Sequence, residues 1–168
     1  MKINEIHRYH YIEKIKIRIS NKVKSFESLF KNCECIESIC FKKFCRNNID
    51  NMSSMFYGCS SLKELNFKNF YSYNVKNMRY MFYGCSSLEE LNLNIFNTDN
   101  VNDMSYMFNR CSSLTELNPS HFNTYNVVNI SYMFYGCSSL KILNLNNFNK
   151  TRLTNMNDMF SDCSSLVK

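Results

Sequence analysis

Cysteine and histidine residues in the first quarter of the chain are the types best suited to metal or redox chemistry. Thiolates and imidazole nitrogens are the ligands that structural zinc sites prefer. Their spacing argues against such a site, because a Cys-x-Cys followed by gaps of four residues does not match paired Cys-x-x-Cys knuckles. We therefore expect no metal and no other cofactor, and a metal-dependent redox protein is the weakest alternative. The residues concerned are Cys33, Cys35, Cys40 and Cys45, preceded by His7 and His10 in an H-x-x-H spacing.

Catalytic residues are not predicted in this sequence. The third histidine, His121, lies at the end of an expected strand, and the neighbouring copies show no acid or nucleophile set at matching places. With three glycines in 168 residues, the chain has no phosphate-binding glycine loop. The sequence therefore predicts that the protein is not an enzyme.

A repeat of 26 residues must position whatever functional residues the chain has. From the second copy onward, Cys-Ser-Ser-Leu opens an L-x-x-L-x-L spacing, as in Leu88, Leu91 and Leu93. Because many positions return together at this step, the chain is predicted to be a stack of similar coils. The cysteines that mark the six copies are Cys33, Cys59, Cys85, Cys111, Cys137 and Cys163.

The hydrophobic period changes within each copy. Val75, Met78 and Met81 are three residues apart, and this spacing predicts the buried face of a short helix. Leu91 and Leu93 are two residues apart, which predicts a short strand. A left-handed cap is expected after each helical stretch, at Gly58, Gly84 and Gly136 and at Asn32 and Asp162, which tolerate this conformation, whereas Arg110 at the same place is the exception.

Stacked coils bring equivalent residues together in a continuous core. The repeated cysteines are expected to be inert buried thiols, because each occupies a place where small apolar residues stack on their copies. Neighbouring rungs at about 5 Å would also allow disulfides, which is the alternative. A spine of the core is expected from the phenylalanines at 44, 70, 96, 122 and 148.

Two recurring segments carry a resemblance to a known family. They have the form Asn-Met-Ser-Tyr-Met-Phe-Tyr-Gly-Cys-Ser-Ser-Leu and Phe-Asn-Thr-x-Asn-Val, and over residues 23–168 they resemble the BspA-like leucine-rich repeat family of bacterial and protist surface proteins. With the repeat pattern, this predicts an α/β solenoid: a right-handed leucine-rich-repeat-like array with one short strand and one short helix per repeat. The resemblance also implies adhesion or protein binding at a cell surface, and it supplies no catalytic residues.

The chain divides into a short leading segment and the array. Residues 1–22 lie outside the period and alternate isoleucine with charged residues, which predicts a strand that caps the first coil. Residues 23–168 are predicted to form about six repeats, the last truncated just after Leu166. An uncapped end offers a surface for end-to-end self-association, so a structural spacer or assembly unit is the alternative function.

Charge and hydropathy limit the partners and the location. Residues 1–46 hold 11 of the 20 basic and 5 of the 14 acidic residues, which leaves nine of each in residues 47–168. Nucleic acid is therefore not expected, because a phosphate-tracking groove needs a basic stripe along its length. We also expect no membrane span and no export signal. Nine cysteines, an odd number, fit reduced thiols, so the sequence favours the cytoplasm, whereas the resemblance implies a cell surface.

The outward positions of the strand motif are the candidate binding residues. An asparagine recurs at the middle x, where a row of amides serves equally as a structural ladder or as a ligand surface. The residues beside this row vary between copies, and such variation can encode specificity for a protein ligand, which the resemblance suggests is a host or matrix protein. The predicted residues are Lys63, Glu64, Asn66, Glu89, Glu90, Asn92, Thr115, Glu116, Asn118, Lys141 and Asn144.

Two sets of tyrosines flank the buried Met and Phe stripe. Tyrosine suits either half-buried packing or the anchoring of a partner, because its ring is apolar and its hydroxyl is polar. Half-buried packing is the interpretation we favour. The two sets are the tyrosines at 57, 83 and 135 and those at 80, 106 and 132.

Overall fold

The computed structural model is a stack of parallel coils in which paired residues of neighbouring coils are 26 positions apart. Residues 22–41, 44–45, 48–67, 70–71, 73–94 and 96–167 are described, so nearly all of the predicted capping segment lies outside them. The strands are β1 (Ser38–Phe41), β2 (Phe44–Cys45), β3 (Glu64–Phe67), β4 (Phe70–Tyr71), β5 (Glu116–Leu117) and β6 (Ile142–Leu143).

Every pairing between coils has the same register. Strand β1 pairs with β3, β2 with β4 and β5 with β6, always parallel. Because the offset is 26 throughout, equivalent side chains of successive coils lie side by side, as the repeat predicts. A second ladder of single parallel bridges runs through all six coils, at Ser25, Asn51, Asn77, Asp103, Asn129 and Asn155.

The short helix expected in each copy is absent from the described residues, and this part of the prediction is wrong. The backbone alternates between two kinds of partner. The N–H of Phe56 donates to the carbonyl of Met81 in the next coil, at 2.9 Å. The N–H of Tyr57 instead donates to Ser54, three residues back, at 3.1 Å. A helix would direct every N–H along its own axis, so these segments are successive tight turns that also form an inter-coil ladder.

Tight turns of this kind satisfy the same hydrophobic spacing as a helix. Val75, Met78 and Met81 are fully buried, so the predicted buried face is correct although the element is not. No helix in the described part of the chain is long and apolar enough to cross a membrane.

Two residues of each turn segment adopt left-handed backbone. The predicted cap positions all have positive φ, from 59° at Asn32 to 70° at Gly136, and the exception, Arg110, has a φ of 59° as well. A second left-handed position lies four residues earlier and was not predicted, because tyrosine occupies it in three coils. At Tyr80, φ is 59°, a conformation costly for a bulky residue. In the turns that Met55 closes on Met52 and that Cys59 closes on Phe56, the third residue is the left-handed one, Ser54 or Gly58, as a type II turn requires.

A column of stacked phenylalanine rings forms the spine of the core. Neighbouring rings from Phe30 to Phe160 lie 5.4 to 5.9 Å apart and nearly parallel. The predicted spine was a different row: Phe96 and Phe122 are buried and Phe148 is half-buried, whereas the side chains at 44 and 70 lie outside the described ones. Stacking occurs in the turn segments because their short backbone bonds hold successive rings in register.

Threonine hydroxyls join the coils at the corner that follows the strands. Thr98 is buried, its hydroxyl donates to the carbonyl of Asn123 at 3.2 Å, and it accepts from the N–H of Asn123 at 2.8 Å. Thr124 repeats this arrangement with Asn149. The hydroxyl takes the place of a backbone partner where the chain turns, which gives the Phe-Asn-Thr motif a structural role.

Leu88 is fully buried in a central coil, so its replacement by aspartate tests the stack. We expect Leu88→Asp to unfold the protein or lower its melting temperature sharply, because an unpaired buried carboxylate costs several kcal/mol. Glu90→Lys, two residues away and exposed, should change stability by less than about 0.5 kcal/mol. Thermal melting followed by circular dichroism measures both, and equal melting temperatures would contradict the inward direction of the leucine motif.

Candidate functional site

All eleven predicted binding residues lie exposed on the strand side of the coils. Strand β3 shows the alternation directly, since Glu64 and Asn66 are exposed and Leu65 and Phe67 are half-buried against the core. The same alternation continues in β5, where Glu116 is exposed and Leu117 is buried. The strand predicted at Leu91 and Leu93 is absent from the third coil, although Leu93 is buried and Glu90 and Asn92 are exposed there as well. The predicted residues therefore share the exposed side of four coils, with strands in three of them.

The charges on this surface form columns. Glu64, Glu90 and Glu116 occupy equivalent positions of three successive copies, and each is exposed. No strand pairing links Glu64 to Glu90 or Glu90 to Glu116, so the row follows from the 26-residue offset that places them on successive coils. The lysine beside the row is already engaged, because Lys63 Nζ lies 3.0 Å from Glu37 Oε2 in an exposed ion pair. The central part of the strand face is consequently acidic.

The asparagine row bonds to its own backbone. Asn92 Oδ1 accepts from the N–H of Asn94 at 3.0 Å, and the amides of Asn118 and Asn144 accept from the N–H two residues on in the same way. These are Asx turns, which bend the chain after each strand. The asparagine row thus has a structural role in these turns. The Nδ2 groups of the same side chains are exposed and can bind a ligand.

The repeated cysteines hold neighbouring coils together. Cys111 Sγ donates to the carbonyl of Phe82, which lies 29 residues earlier, at 3.1 Å. The same carbonyl accepts the N–H of Cys85 at 3.1 Å, so it has two partners. Cys59, Cys85, Cys137 and Cys163 repeat the thiol contact at 3.0 to 3.2 Å. Sequence reasoning identified burial at this position but missed the donor role, which a purely apolar residue cannot perform.

Burial makes these thiols poor nucleophiles. It raises the pKa of Cys59 and Cys137 to about 12, and the neighbouring thiols of Cys33 and Cys163 add to the effect. The pKa values of Cys85 and Cys111 are likewise raised well above the ordinary value. Because the thiolate is the reactive form, the column is unsuited to nucleophilic or redox chemistry near neutral pH. The eight cysteines whose side chains are described are all free.

The residues considered for metal binding are not brought together in the described part of the chain. Cys33 is buried, whereas Cys35 and Cys40 are exposed. The side chain of Cys45 and both upstream histidines lie outside the described residues, and His121 is exposed. Among the described residues, no three histidine, cysteine or acidic side chains lie close enough to hold a metal ion.

The tyrosines of the turn segments form two half-buried stacked columns. Tyr57 and Tyr83 stack with ring centroids 4.6 Å apart. In the second column, the ring of Tyr106 lies 4.6 Å from Tyr80 and 4.7 Å from Tyr132. The two columns touch edge to face, since Tyr80 and Tyr83 lie 5.7 Å apart at 69°. We call these six tyrosines, at 57, 80, 83, 106, 132 and 135, the tyrosine ridge.

The parallel stack and its exposed strand face define a leucine-rich-repeat solenoid, and solved structures support this fold. A leucine-rich repeat protein from Eubacterium ventriosum is 23% identical, with a TM-score of 0.57, over 91% of this chain. The T. pallidum leucine-rich repeat protein is 15% identical, with a TM-score of 0.52, over 86% of this chain. The chain spans 37% of the first protein and 71% of the second.

The chain belongs to the family described as "Mycoplasma protein of unknown function, DUF285", which matches residues 24–118 and 51–168. Together with the solved structures, this match confirms the leucine-rich-repeat family that the sequence resembles. A search of the curated proteins found no match.

Thiol accessibility provides a test of the cysteine column. We expect Cys85 and Cys111 to react with a maleimide at pH 7.5 at least about a hundredfold more slowly than Cys35 and Cys40, because burial excludes the reagent and disfavours the thiolate. Mass spectrometry of labelled peptides gives the rate at each site, and unfolding in denaturant should equalise the rates. Labelling of Cys111 as fast as Cys40 in the folded protein would contradict the buried hydrogen-bonded column.

Proposed function

We propose that the protein is a non-catalytic binding module whose strand face holds a basic region of a protein ligand. The observation that carries the proposal is the row of Glu64, Glu90 and Glu116 on one exposed face. Like charges at neighbouring positions repel one another, and a cationic partner relieves that repulsion. The leucine-rich-repeat fold supports the proposal, since its relatives are repeat modules.

The chemistry of the rest of the face is consistent with a protein ligand. Thr115, Asn118 and Asn144 are exposed polar groups that can donate or accept hydrogen bonds beside the acidic row. Ile142 is 63% exposed and takes the place of the glutamate in the next copy, which gives the surface an apolar end. Acidic, polar and apolar positions in one array suit a protein surface better than a phosphate backbone.

Adhesion is the setting that the BspA-like resemblance suggests. In that setting we propose that the ligand is a basic host or matrix protein. Charge complementarity would act mainly on the association rate, so binding should weaken as salt rises.

Reversal of the acidic row tests this function. Immobilised protein is used to capture ligands from matrix preparations, and the affinity for a captured protein is measured at two salt concentrations. We expect Glu90→Lys with Glu116→Lys to weaken binding about tenfold or more, because complementarity becomes repulsion. Glu34→Lys with Asp50→Lys, an equal change of charge at exposed positions outside the strands, should bind as the wild type does. Equal loss in both double variants would contradict a strand-face site.

Assembly through the last coil is the second candidate function. In this chain the last described coil leaves Met156 50% exposed and Phe160 41% exposed, although the other face of the Phe160 ring stacks on Phe134 at 5.9 Å. A second copy of the chain would bury this apolar surface.

Sedimentation over a concentration series distinguishes the two functions. If assembly is the function, multimers form without ligand, and Met156→Gln with Phe160→Gln should leave a monomer. If binding is the function, the monomer persists at micromolar concentration and retains its ligand, and the same double variant should bind as before.

A further inference from the structure

The tyrosine ridge holds phenol rings of neighbouring coils in direct contact. The ring centroids of Tyr57 and Tyr83 lie 4.6 Å apart, those of Tyr80 and Tyr106 lie 4.6 Å apart, and those of Tyr106 and Tyr132 lie 4.7 Å apart. The planes of each pair are within 26° of parallel. Every ring of these pairs is half-buried and therefore partly open to solvent. Three pairs of phenols are thus kept at stacking distance by the turn segments that carry them.

Two phenols at stacking distance can be joined by oxidation. A one-electron oxidant removes one electron and the hydroxyl proton from each ring, which leaves two neutral phenoxyl radicals. The radicals couple through ring carbons beside the oxygens, and each coupled carbon then loses its hydrogen as a proton while each oxygen regains one. The net change is the loss of two electrons and two protons, which one hydrogen peroxide takes up to become two waters. Stacking favours this coupling because the two reactants are already in contact.

A carboxylate distinguishes the Tyr106–Tyr132 pair from the other two. Asp158 follows Tyr132 at the equivalent position of the next coil. It accepts a hydrogen bond from the Tyr132 hydroxyl, and this bond together with the carboxylate charge raises the pKa of Tyr132. A base in this position can take the proton as the electron leaves, so that a neutral radical forms instead of a radical cation. Asp158 is itself exposed and can pass the proton to solvent.

Cations lie on the other two pairs. Lys31 Nζ is 4.8 Å from the ring centroid of Tyr57. The guanidinium carbon of Arg79 is 4.7 Å from the centroid of Tyr80 but 5.9 Å from that of Tyr106, and Arg79 Nη2 donates to the Tyr80 hydroxyl at 3.1 Å. A positive charge attracted to a ring makes the loss of an electron from that ring less favourable. The three pairs therefore stack at the same distance but differ in how readily they are oxidised.

We propose that Tyr106 and Tyr132 are an oxidative cross-linking site, where a one-electron oxidant such as a haem peroxidase with hydrogen peroxide joins the fourth coil to the fifth by a carbon–carbon bond. Tyr135 also donates a hydrogen bond to a carboxylate, that of Asp162. Its equivalent in the fourth coil is Asn109, however, and its contact with Tyr132 is tilted, at 5.9 Å. The bond between residues 106 and 132 closes a loop, which restricts the unfolded chain. The site is separate from the strand face.

Limited oxidation of the folded protein tests the site. The exposed thiols are alkylated, and the protein is treated at low concentration with a haem peroxidase and a limiting amount of hydrogen peroxide. After digestion with trypsin, a Tyr106–Tyr132 link joins residues 80–110 to residues 111–141, whereas a Tyr57–Tyr83 link joins residues 47–63 to residues 80–110. Fragmentation spectra assign the joined tyrosines, and each link lowers the summed peptide mass by two hydrogens.

We expect the Tyr106–Tyr132 product to exceed the Tyr57–Tyr83 product at least about fivefold, because only the first pair has a base for the proton. The oxidised protein should run as a monomer on a denaturing gel. Absence of the Tyr106–Tyr132 product, equal amounts of the two products, or links only between molecules would overturn the proposal.

Matched variants separate the carboxylate from the stack. Asp158 has a φ of 51°, which asparagine tolerates, so Asp158→Asn should fold. It should lower the ratio of the two products at least about fivefold, because an amide cannot take the proton. Asp162→Asn removes the same charge at another left-handed position and should leave the ratio unchanged. Tyr132→Phe keeps the ring and should abolish the first product alone. An unchanged ratio in Asp158→Asn, or an equal fall in Asp162→Asn, would overturn the assignment.

Discussion

The inter-coil hydrogen bonds of the turn segments are the constraint on which the other features depend. Alternate N–H groups, such as those of Met52, Ser54 and Phe56, donate to the next coil at 2.9 to 3.0 Å, and the groups between them close tight turns. A chain can do both only if it enters left-handed backbone twice per segment. The pattern recurs every 26 residues, so each side chain lies beside the equivalent side chain of the next coil. The coils therefore have one register, and a shift by one residue would break both sets of hydrogen bonds.

A fixed register places identical or similar side chains of successive coils next to each other, and their contribution to stability depends on the chemistry of the side chain. Phenylalanine on phenylalanine gains ring contacts about 5.5 Å apart, and tyrosine on tyrosine offsets the cost of left-handed backbone at Tyr80. Cysteine gains a carbonyl acceptor from the coil before it. Glutamate on glutamate gains nothing and remains exposed on the strand face. The row that contributes least to stability is therefore the one on which the proposed partner would act.

Sequence reasoning predicted the period, the buried positions and one left-handed position per copy, because each depends on residue type at one site. It was wrong about the helix, since Val75, Met78 and Met81 satisfy helical spacing and tight-turn spacing equally. A helix and a series of tight turns differ in whether the Phe56 N–H donates to a carbonyl of its own coil or of the next coil. That choice depends on contacts between coils, which the sequence of one repeat does not reveal. It missed Tyr80 as a left-handed residue for a related reason: tyrosine is a poor intrinsic choice there, and the conformation is set by the turn geometry that every coil shares.

In a stack where each coil contacts only its neighbours, a change in one copy has local consequences. Asn109 illustrates this: it removes one ring from the ridge, yet its amide still bonds to the backbone of Tyr132, and the core column from Phe82 to Phe134 continues without interruption. The buried core separates the demands of folding from those of the surface, so strand positions and turn positions of the same coil can vary independently. The strand side and the turn side of a single repeat can therefore carry different chemistry, one acidic and one aromatic.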